Sequence, residues 1–262
     1  TTDGGARIWP AGEPRTRTAL SGYGGPMWGL AFSPDGRLLA AGADDGTLHL
    51  WDATTLAHLG VTQAHKAALR IVTFSADGTV LATGAIDGSA RTWRVADRSL
   101  KTQISGPHGW VRAMALSPDG ALLATSGRET SVALWNARSG ETHASLGGHT
   151  DWVRSLEFSP DGKLLASASD DGTVRLWDVA GHREVATLLG LPGDRWAALF
   201  PDGSYKLVGD PAGALWWTMK LCRFEPGEID RFVPGIHRLA PGVPVDLIDP
   251  GERPAAEAGK MG

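Results

Sequence analysis

The sequence predicts an all-β chain that consists of repeated four-stranded units, and three observations support this prediction. Five tryptophans follow one another at intervals of 42 residues, namely Trp9, Trp51, Trp93, Trp135 and Trp177. Turns of the pattern Ser-x-Asp-Gly recur at the same interval, and they begin at Ser33, Ser75, Ser117 and Ser159. No segment shows the apolar period of a helix. Two series with one common interval indicate a repeat architecture.

The first two strands of a unit are clearest in the fourth repeat. Strand a, residues 152–158, is a largely apolar run that ends just before the turn Pro160-Asp161-Gly162. Proline presets φ at the second position of a type I turn and glycine suits the fourth, so the chain reverses there. Strand b, residues 164–168, is rich in small residues, as expected where wedge-shaped sheets crowd around an axis.

Strands c and d complete the unit. Asp171-Gly172 is a tight hairpin signal, and the run of β-branched and apolar residues at 173–177 predicts strand c directly after it. Residues 184–189 predict strand d. Each repeat is therefore expected to form one antiparallel sheet of four strands.

Composition narrows the possible functions. The chain has 262 residues and a formal net charge of -4, which gives no global attraction to nucleic acid or to an anionic membrane. Its single cysteine, Cys222, excludes an internal disulfide framework and a Cys-rich zinc site, and it favours a reducing, cytoplasmic compartment. No apolar run is long enough to span a bilayer. No metal site and no cofactor are predicted, because the usual motifs are absent.

The repeat motifs resemble those of the WD-repeat family. Trp51-Asp52 and Trp177-Asp178 carry the literal Trp-Asp dipeptide, and Gly148-His149 is the one intact Gly-His pair at the start of a repeat. Other repeats keep only the tryptophan, as at Trp135-Asn136. The resemblance covers residues 3–224 and implies a β-propeller in which each repeat forms one four-stranded blade.

The resemblance implies five full four-stranded blades plus half a blade, which form part of a larger ring of six or seven blades. The expected divisions are a half blade at 1–22, blades 1 to 4 at 23–63, 64–106, 107–147 and 148–190, a divergent blade 5 at 191–225, and a tail rich in proline and glycine at 226–262.

Two buried hydrogen-bonded tetrads are also implied by the resemblance. They consist of His149, Ser167, Asp171 and Trp177 in blade 4, and of His65, Thr83, Asp87 and Trp93 in blade 2. Serine, histidine and aspartate also form hydrolase triads. A nucleophile is needed once per protein, however, whereas this set recurs at the 42-residue interval with Ser and Thr interchanged. We therefore predict a scaffold and no catalytic residues.

The tetrads of two other blades are incomplete. Blade 3 has Glu129 in place of the aspartate, and blade 1 has Ala41 in place of the hydroxyl residue. These two blades are expected to be held less tightly.

By the same resemblance, a partner would bind on the narrow face of the ring. The residues implied for this surface are Trp28, Arg70, Trp110, Arg112, Arg128, Trp152, Arg154 and Arg195. Arginine and tryptophan are typical of interface hot spots, and the expected ligand is a protein or peptide that is acidic or phosphorylated. Alternatively, Arg154 pairs with Asp170 and the arginines are partly structural.

The leading hypothesis is a protein-interaction scaffold or sensor within a larger signalling or defence protein. Two alternatives remain open: a propeller enzyme, a hydrolase or lyase, with its active site in the channel, and nucleic-acid binding through the arginines. The enzyme predicts several carboxylates or histidines facing the channel. Nucleic-acid binding predicts an affinity that falls steeply with salt.

The two ends of the sequence carry further expectations. Residues 3–9 match strand c and residues 16–20 match strand d, so an upstream part of a longer protein is expected to supply the rest of that blade. Residues 195–227 are similar to the last blade of large bacterial multidomain proteins. The six prolines of 226–262 predict an extended segment that continues as a disordered tail.

Overall fold

The computed structural model describes most of the repeat region. The described residues are 6–8, 18–20, 24–105 and 109–209, together with 215, 217–219, 222–224, 226–227, 230, 233, 236–240 and 247. Within these residues every regular element is a β-strand. None of them forms a helix that is long and apolar enough to cross a membrane. Trp9, His108 and most of the predicted tail lie outside the described residues.

The N-terminal part contains a two-stranded sheet followed by a four-stranded one. The first sheet pairs β1 (Arg7–Ile8) with β2 (Thr18–Ala19). The second contains β3 (Met27–Phe32), β4 (Leu38–Ala43), β5 (Thr47–Asp52) and β6 (His58–Gln63). Its strands are hydrogen-bonded in chain order and are antiparallel.

Two further four-stranded antiparallel sheets repeat this arrangement. One contains β7 (Leu69–Phe74), β8 (Val80–Ala85), β9 (Ser89–Arg94) and β10 (Leu100–Ser105). The other contains β11 (Ala113–Leu116), β12 (Leu122–Ser126), β13 (Val132–Asn136) and β14 (Thr142–Leu146). Each strand lies close to the place that the sequence predicts for strand a, b, c or d.

The last large sheet begins as a fourth blade and then continues. It contains β15 (Val153–Phe158), β16 (Leu164–Ser169), β17 (Thr173–Asp178), β18 (Arg183–Leu191), β19 (Arg195–Leu199) and β20 (Ser204–Val208). The short strand β23 (His237–Arg238) pairs with β20 in parallel. A separate hairpin joins β21 (Trp217–Met219) to β22 (Cys222–Phe224).

The Ser-x-Asp-Gly turns are closed by bonds within the turn itself. In the third blade the Ser117 hydroxyl donates to Oδ1 of Asp119 over 2.6 Å and accepts the amide of Leu122 over 2.8 Å. The Gly120 amide donates to the Ser117 carbonyl, and Gly120 has a φ of 64°. The hydrogen bond from the Ser117 hydroxyl makes the largest contribution to lowering the pKa of Asp119. The turn therefore ties strand a to strand b with a charged and fully bonded carboxylate.

The core lies between consecutive sheets. The inner strands β3, β7, β11 and β15 pack against one another in that order. Between the first two blades, Leu48 and Leu50 of β5 form one apolar cluster with Leu69 and Val72 of β7. Similar clusters fill the spaces between the second and third blades and between the third and fourth. This stacking of four-stranded sheets around their inner strands confirms the predicted β-propeller fold.

One connection departs from the expected pattern. The predicted boundary between blades 4 and 5, at residue 190, falls inside β18, which pairs with both β17 and β19. Residues 64–68 lead from strand d to the next strand a after the first blade, whereas only residues 192–194 connect β18 to β19. Because such a short connection favours a hairpin, β19 pairs with the outer strand instead of starting a separate sheet.

Candidate partner-binding surface

The tetrad of the fourth blade is complete. Nδ1 of His149 lies 2.8 Å from Oδ2 of Asp171, and Nε2 lies 2.7 Å from the Ser167 hydroxyl. The indole N–H of Trp177 donates to the same hydroxyl over 2.8 Å. Burial opposes ionisation of Asp171, but bonds from the Thr173 hydroxyl, His149 and two backbone amides outweigh it and hold the pKa of Asp171 well below its usual range.

This geometry argues against a nucleophile. Ser167 is 0% exposed, and its oxygen already accepts the indole N–H of Trp177. A substrate therefore has no access to the hydroxyl, and the indole N–H already occupies one lone pair of its oxygen. The serine instead connects the histidine to the tryptophan, so the same residue types that form a hydrolase triad here hold strands b and c together.

The tetrad of the second blade includes an extra hydroxyl. Nε2 of His65 lies 2.8 Å from the Thr83 hydroxyl, which accepts the Trp93 indole N–H over 2.9 Å. Nδ1 of His65 is 3.0 Å from the Ser89 hydroxyl, and Ser89 in turn donates to Asp87 over 2.7 Å. The direct separation between His65 and Asp87 is 3.4 Å. Ser89 thus relays the contact between aspartate and histidine.

Sequence reasoning missed these relay hydroxyls. Thr47, Ser89 and Thr173 each follow an Asp-Gly turn and each donate to its aspartate. The signal was present, because the three residues follow the 42-residue interval that identified the tryptophans. A hydroxyl directly after an Asp-Gly turn fits an ordinary turn residue as well, so the pattern alone did not single it out.

The two incomplete tetrads differ from each other. In the third blade the Trp135 indole N–H donates to the Thr125 hydroxyl over 2.8 Å, as in the complete tetrads. In the first blade, which has Ala41, a different chain forms: the Thr47 hydroxyl lies 2.9 Å from His49, whose other ring nitrogen is 3.1 Å from His58. Burial, followed by the nearby His58, lowers the pKa of His49.

In the first and third blades the residue after the repeat tryptophan caps the turn between strands c and d. Oδ1 of Asp52 accepts the amides of Thr54 and Thr55, which lowers its pKa. Oδ1 of Asn136 accepts the two equivalent amides in the third blade, over 2.9 and 3.0 Å. An asparagine oxygen therefore replaces the aspartate of the Trp-Asp dipeptide.

Exposed tryptophans and arginines stack beside the inner strands. The guanidinium of Arg70 lies 3.7 Å from the ring centroid of Trp28, which is 46% exposed. The Trp28 indole N–H donates to Oδ1 of Asp44 over 2.8 Å. The indole is therefore held in one orientation with the arginine over its face, at a distance typical of a cation–π contact.

A second stack joins the third and fourth blades. The guanidinium of Arg112 lies 5.4 Å from the Trp110 ring and 4.1 Å from the Trp152 ring. Arg154 approaches Trp152 at 5.3 Å. We call these stacked residues the Trp–Arg surface, and its members are Trp28, Arg70, Trp110, Arg112, Trp152 and Arg154.

The arginines of this surface differ in their charge partners. Nε and Nη2 of Arg154 both donate to Oδ2 of Asp170, over 2.8 and 2.5 Å, which raises the pKa of Arg154 and lowers that of Asp170. Among the described residues Arg70 and Arg112 make no ion pair with a carboxylate. Nε of Arg112 is buried there without a hydrogen-bond partner. Arg70 and Arg112 are thus the two arginines of the Trp–Arg surface that form no ion pair, although Arg112 also contributes to the lowered pKa of Asp170.

Two predicted members lie apart from the stacks. Arg128 is exposed, and its stem lies beside Gly109. Arg195 begins β19 and donates to the Pro192 carbonyl. Because four strand spacings separate β19 from β15 in the sheet, Arg195 is roughly 19 Å from the inner strand. The expectation that Arg195 continues the row of Arg70, Arg112 and Arg154 is therefore not met, because β19 pairs with an outer strand.

Comparison with known proteins agrees with this architecture. The family model described as "WD domain, G-beta repeat" matches residues 14–52, 57–94, 98–136 and 140–178, which together make up more than half of the chain. The chain belongs to the WD40 repeat family. The matched WD40 segments each end on strand c, at the residue after the repeat tryptophan.

A curated WD40 relative gives a local match. The chain is 42% identical over 52 residues to "Small ribosomal subunit protein RACK1y" of Oryza sativa subsp. japonica. This match covers 20% of the present chain and 16% of the rice protein. Within the described residues, no group of three or more His, Cys, Asp or Glu side chains is placed to hold a metal ion.

Proposed function

We propose that this WD40 chain is a non-catalytic interaction module that binds an acidic or phosphorylated protein segment on its Trp–Arg surface. The observation that carries the proposal is the state of Arg70 and Arg112. Arg70 stacks on the exposed Trp28 and Arg112 on the partly buried Trp152, and neither guanidinium forms an ion pair with a carboxylate of the described residues. The exposed Arg128, whose stem lies beside Gly109, contributes further positive charge.

Stacking prepares these arginines for anion binding. A guanidinium presents its N–H donors in one plane, and a ring packed on its face leaves the edge free to bond carboxylate or phosphate oxygens in pairs. The ring also removes water from one side of the cation, which strengthens the contact with an anion. Trp110 is 48% exposed and offers an apolar surface for neighbouring atoms of the same ligand.

The inner strands support binding over catalysis. Of the residues in β3, β7, β11 and β15, Glu157 is the only carboxylate and none is a histidine. A channel active site of the kind that the enzyme alternative requires would need more than one such group. The chain also carries a net negative charge, which opposes the nucleic-acid alternative.

The wider setting is part of the same proposal. We infer that the propeller works as a scaffold or sensor in the cytoplasm, within a larger bacterial signalling or defence protein whose other domains also contact it. The similarity of residues 195–227 to the last blade of such proteins and the single cysteine support this setting.

An array of acidic and phosphoserine peptides tests the proposal. Peptides that bind the whole chain would be titrated against Arg70→Ala and Arg112→Ala, and each variant is expected to lose at least about tenfold in affinity, as charge-assisted bonds are removed. Lys163→Ala, which removes an exposed cation at a turn, is the matched control. Unchanged affinity in both arginine variants, with their circular dichroism also unchanged, would overturn the proposal.

The same titration separates the nucleic-acid alternative. Single-stranded and duplex oligonucleotides of mixed sequence serve as competing probes at low and physiological salt. Tight oligonucleotide binding that falls steeply with salt and depends on Arg112 would favour nucleic acid over an acidic peptide.

A further inference from the structure

One face of the first inner strand is apolar and uncovered. Leu30 is 54% exposed and Phe32 is 52% exposed, and both lie on the same side of β3, opposite Ala41 and Leu39 of β4. Adjacent positions that share a face along a strand form a continuous strip. A strip of large apolar side chains open to water requires an explanation.

The equivalent residues of the other blades are covered. They lie at multiples of 42 residues after Leu30 or Phe32, and Val72, Leu116 and Phe158 are buried among them. These side chains pack on the preceding blade, as shown by Val72 with Ala40 of the first blade and by Phe158 with Ala124 of the third. The face of β3 is thus an interface between blades that has no inner strand opposite it in the part of the chain that the structure describes.

The short sheet β1–β2 covers only the neighbouring part of this face. Ala6, Leu20 and the partly buried Ile8 pack on Leu39 of β4 and Trp51 of β5. In the complete blades strand c has strand b on one side and strand d on the other, whereas β1, which occupies the place of strand c, has only β2 beside it among the described sheets. The uncovered strip of β3 lies where strands a and b of that blade belong.

The opposite end of the stack differs. On the face of β15 that points away from the third blade, Ser155 and Glu157 are exposed. Polar residues of this kind close the end of a repeat stack and keep it soluble. The face at β15 therefore carries polar residues suited to solvent, whereas the face at β3 carries apolar residues suited to packing against another strand.

We propose that the strip of Leu30 and Phe32 docks a two-stranded β-hairpin, the strands a and b of a repeat that continues from β1 toward the N-terminus of the protein. Its strand b pairs with the free edge of β1, and its strand a packs on β3. This proposal is independent of the ligand assigned to the Trp–Arg surface.

The other interfaces define what this hairpin looks like. Opposite Phe158, the third blade presents Ala113 and Ala115 of strand a and Ala124 of strand b. Ala40 and Ala82 occupy the position of Ala124 in the first two blades and are fully buried. An occupant that follows the third blade is thus a hairpin with small side chains toward β3, an alanine at this position of strand b, and a Ser-x-Asp-Gly type of turn.

Fusion of such a hairpin to the chain tests the proposal. A copy of residues 110–128 is placed directly before Asp3, so that Asp3 takes the position of Glu129 and the 42-residue register is kept. The melting temperature is expected to rise by about 5 °C, as for a gain of one to two kcal/mol in a domain of this size. Amide exchange of residues 27–32 is expected to slow at least tenfold.

Two control variants make the result specific. In the first, the fused copy carries the changes Ala113→Asp and Ala115→Asp, which place charge against Leu30 and Phe32. In the second, the fused chain carries Leu30→Asp and Phe32→Asp, which the unfused chain tolerates because both side chains are exposed. Both are expected to abolish the gain. An equal gain in either control, or no gain from the original fusion, would overturn the proposal.

Other occupants give different outcomes. A second copy of the chain on this face would make the unfused protein a dimer by light scattering, and Leu30→Asp with Phe32→Asp would make it a monomer. Residues 226–262 on this face would protect residues 27–32 in the unfused chain, and their deletion would remove that protection. Either result contradicts a hairpin from the N-terminal side.

Discussion

At the scale of single residues, the Ser167 hydroxyl shows how one oxygen stabilises a blade. It joins the imidazole of His149 to the indole of Trp177, and Asp171 fixes the imidazole from the other side. All four groups bond one another away from water, so the loss of any member leaves a buried polar atom without its partner.

The first prediction concerns Asp171. We expect Asp171→Ala to lower the free energy of unfolding by about 1 to 3 kcal/mol, because His149 and the Thr150 amide lose their acceptor. Chemical denaturation monitored by tryptophan fluorescence measures the change. Glu157→Gln, at an exposed strand position, should leave stability within about 0.5 kcal/mol of the parent. Equal stabilities for the two variants would refute the tetrad's structural role.

The second prediction concerns acid stability through His65. Burial lowers its pKa to about 4, and the attraction of Asp87 offsets burial only in part. Between this pKa and the usual value of 6.5 the unfolded chain binds the proton and the folded chain does not, so stability falls as the pH drops through that range. The expected loss is about 1 to 3 kcal/mol.

Denaturation at a series of pH values from 7 to 4 measures this loss. His65→Gln should have a flatter pH profile than the parent over that range, although it is less stable at pH 7. The exposed His143→Gln serves as the control and should keep the parental slope. A parental slope in His65→Gln would show that other groups control the acid response.

At the scale of elements, the turn between strands b and c joins neighbouring blades. The Gly46 carbonyl accepts the amides of Ala64 and His65, which lead into the second blade. Gly46 has a φ of 82°, and a Cβ added to it would lie 2.3 Å from the His65 carbonyl oxygen. Gly172 has the same φ in the fourth blade, but a Cβ there would meet nothing within 4 Å.

The third prediction compares these two glycines. Gly172→Ala should cost about 1 to 2 kcal/mol, since it carries only the strain of an L-residue at positive φ. Gly46→Ala should cost clearly more, because backbone atoms of the next blade must also move. Urea denaturation of both variants gives the comparison, and equal costs would show that the contact between Gly46 and His65 relaxes without penalty.

The elements also show what the sequence could predict. Strands a to d of the first four blades follow from the 42-residue interval, since turn residues mark where each strand ends. The pairing of β18 with β19 could not be predicted in this way, because strand patterns do not specify a neighbour. Its cause is the short connection at residues 192–194, a feature of length and not of residue type.

The composition of the candidate surface was predictable, whereas the sequence left its charge state open between available arginines and a pairing of Arg154 with Asp170. Arg112 and Arg154 occupy equivalent repeat positions and look alike in sequence. Asp170 neutralises Arg154 in the structure, whereas the residue equivalent to Asp170 in the third blade is Arg128. The ion pair depends on side-chain geometry across two strands, which periodicity does not determine.

At the scale of the whole molecule, each sheet is stabilised by its neighbours. Every residue of β8 is buried, because blades lie on both faces of the second sheet. The equivalent strand of the fourth blade, β16, also lies between strands a and c of its own sheet, but it is only partly buried. In a stack of repeats, stability is the sum of such contacts between neighbours.

The fourth prediction follows from this difference. We expect the amides of residues 80–85 to exchange with deuterium at least about ten times more slowly than those of residues 164–169, which corresponds to about 1.4 kcal/mol of local opening free energy. Exchange followed by mass spectrometry resolves the two segments. Equal protection would mean that the chain unfolds only as one unit.

The hydrogen bonds within the fourth blade have a consequence for how the protein can evolve. The hydrogen bonds of its turn at Ser159 and of its tetrad involve only residues 149–177, so the repeat contains both partners of each of these bonds. Duplication or loss of 42 codons would therefore add or remove a blade without breaking these hydrogen bonds. Such a protein can change in size by whole blades through unequal recombination, while each surviving copy diverges toward its own ligand.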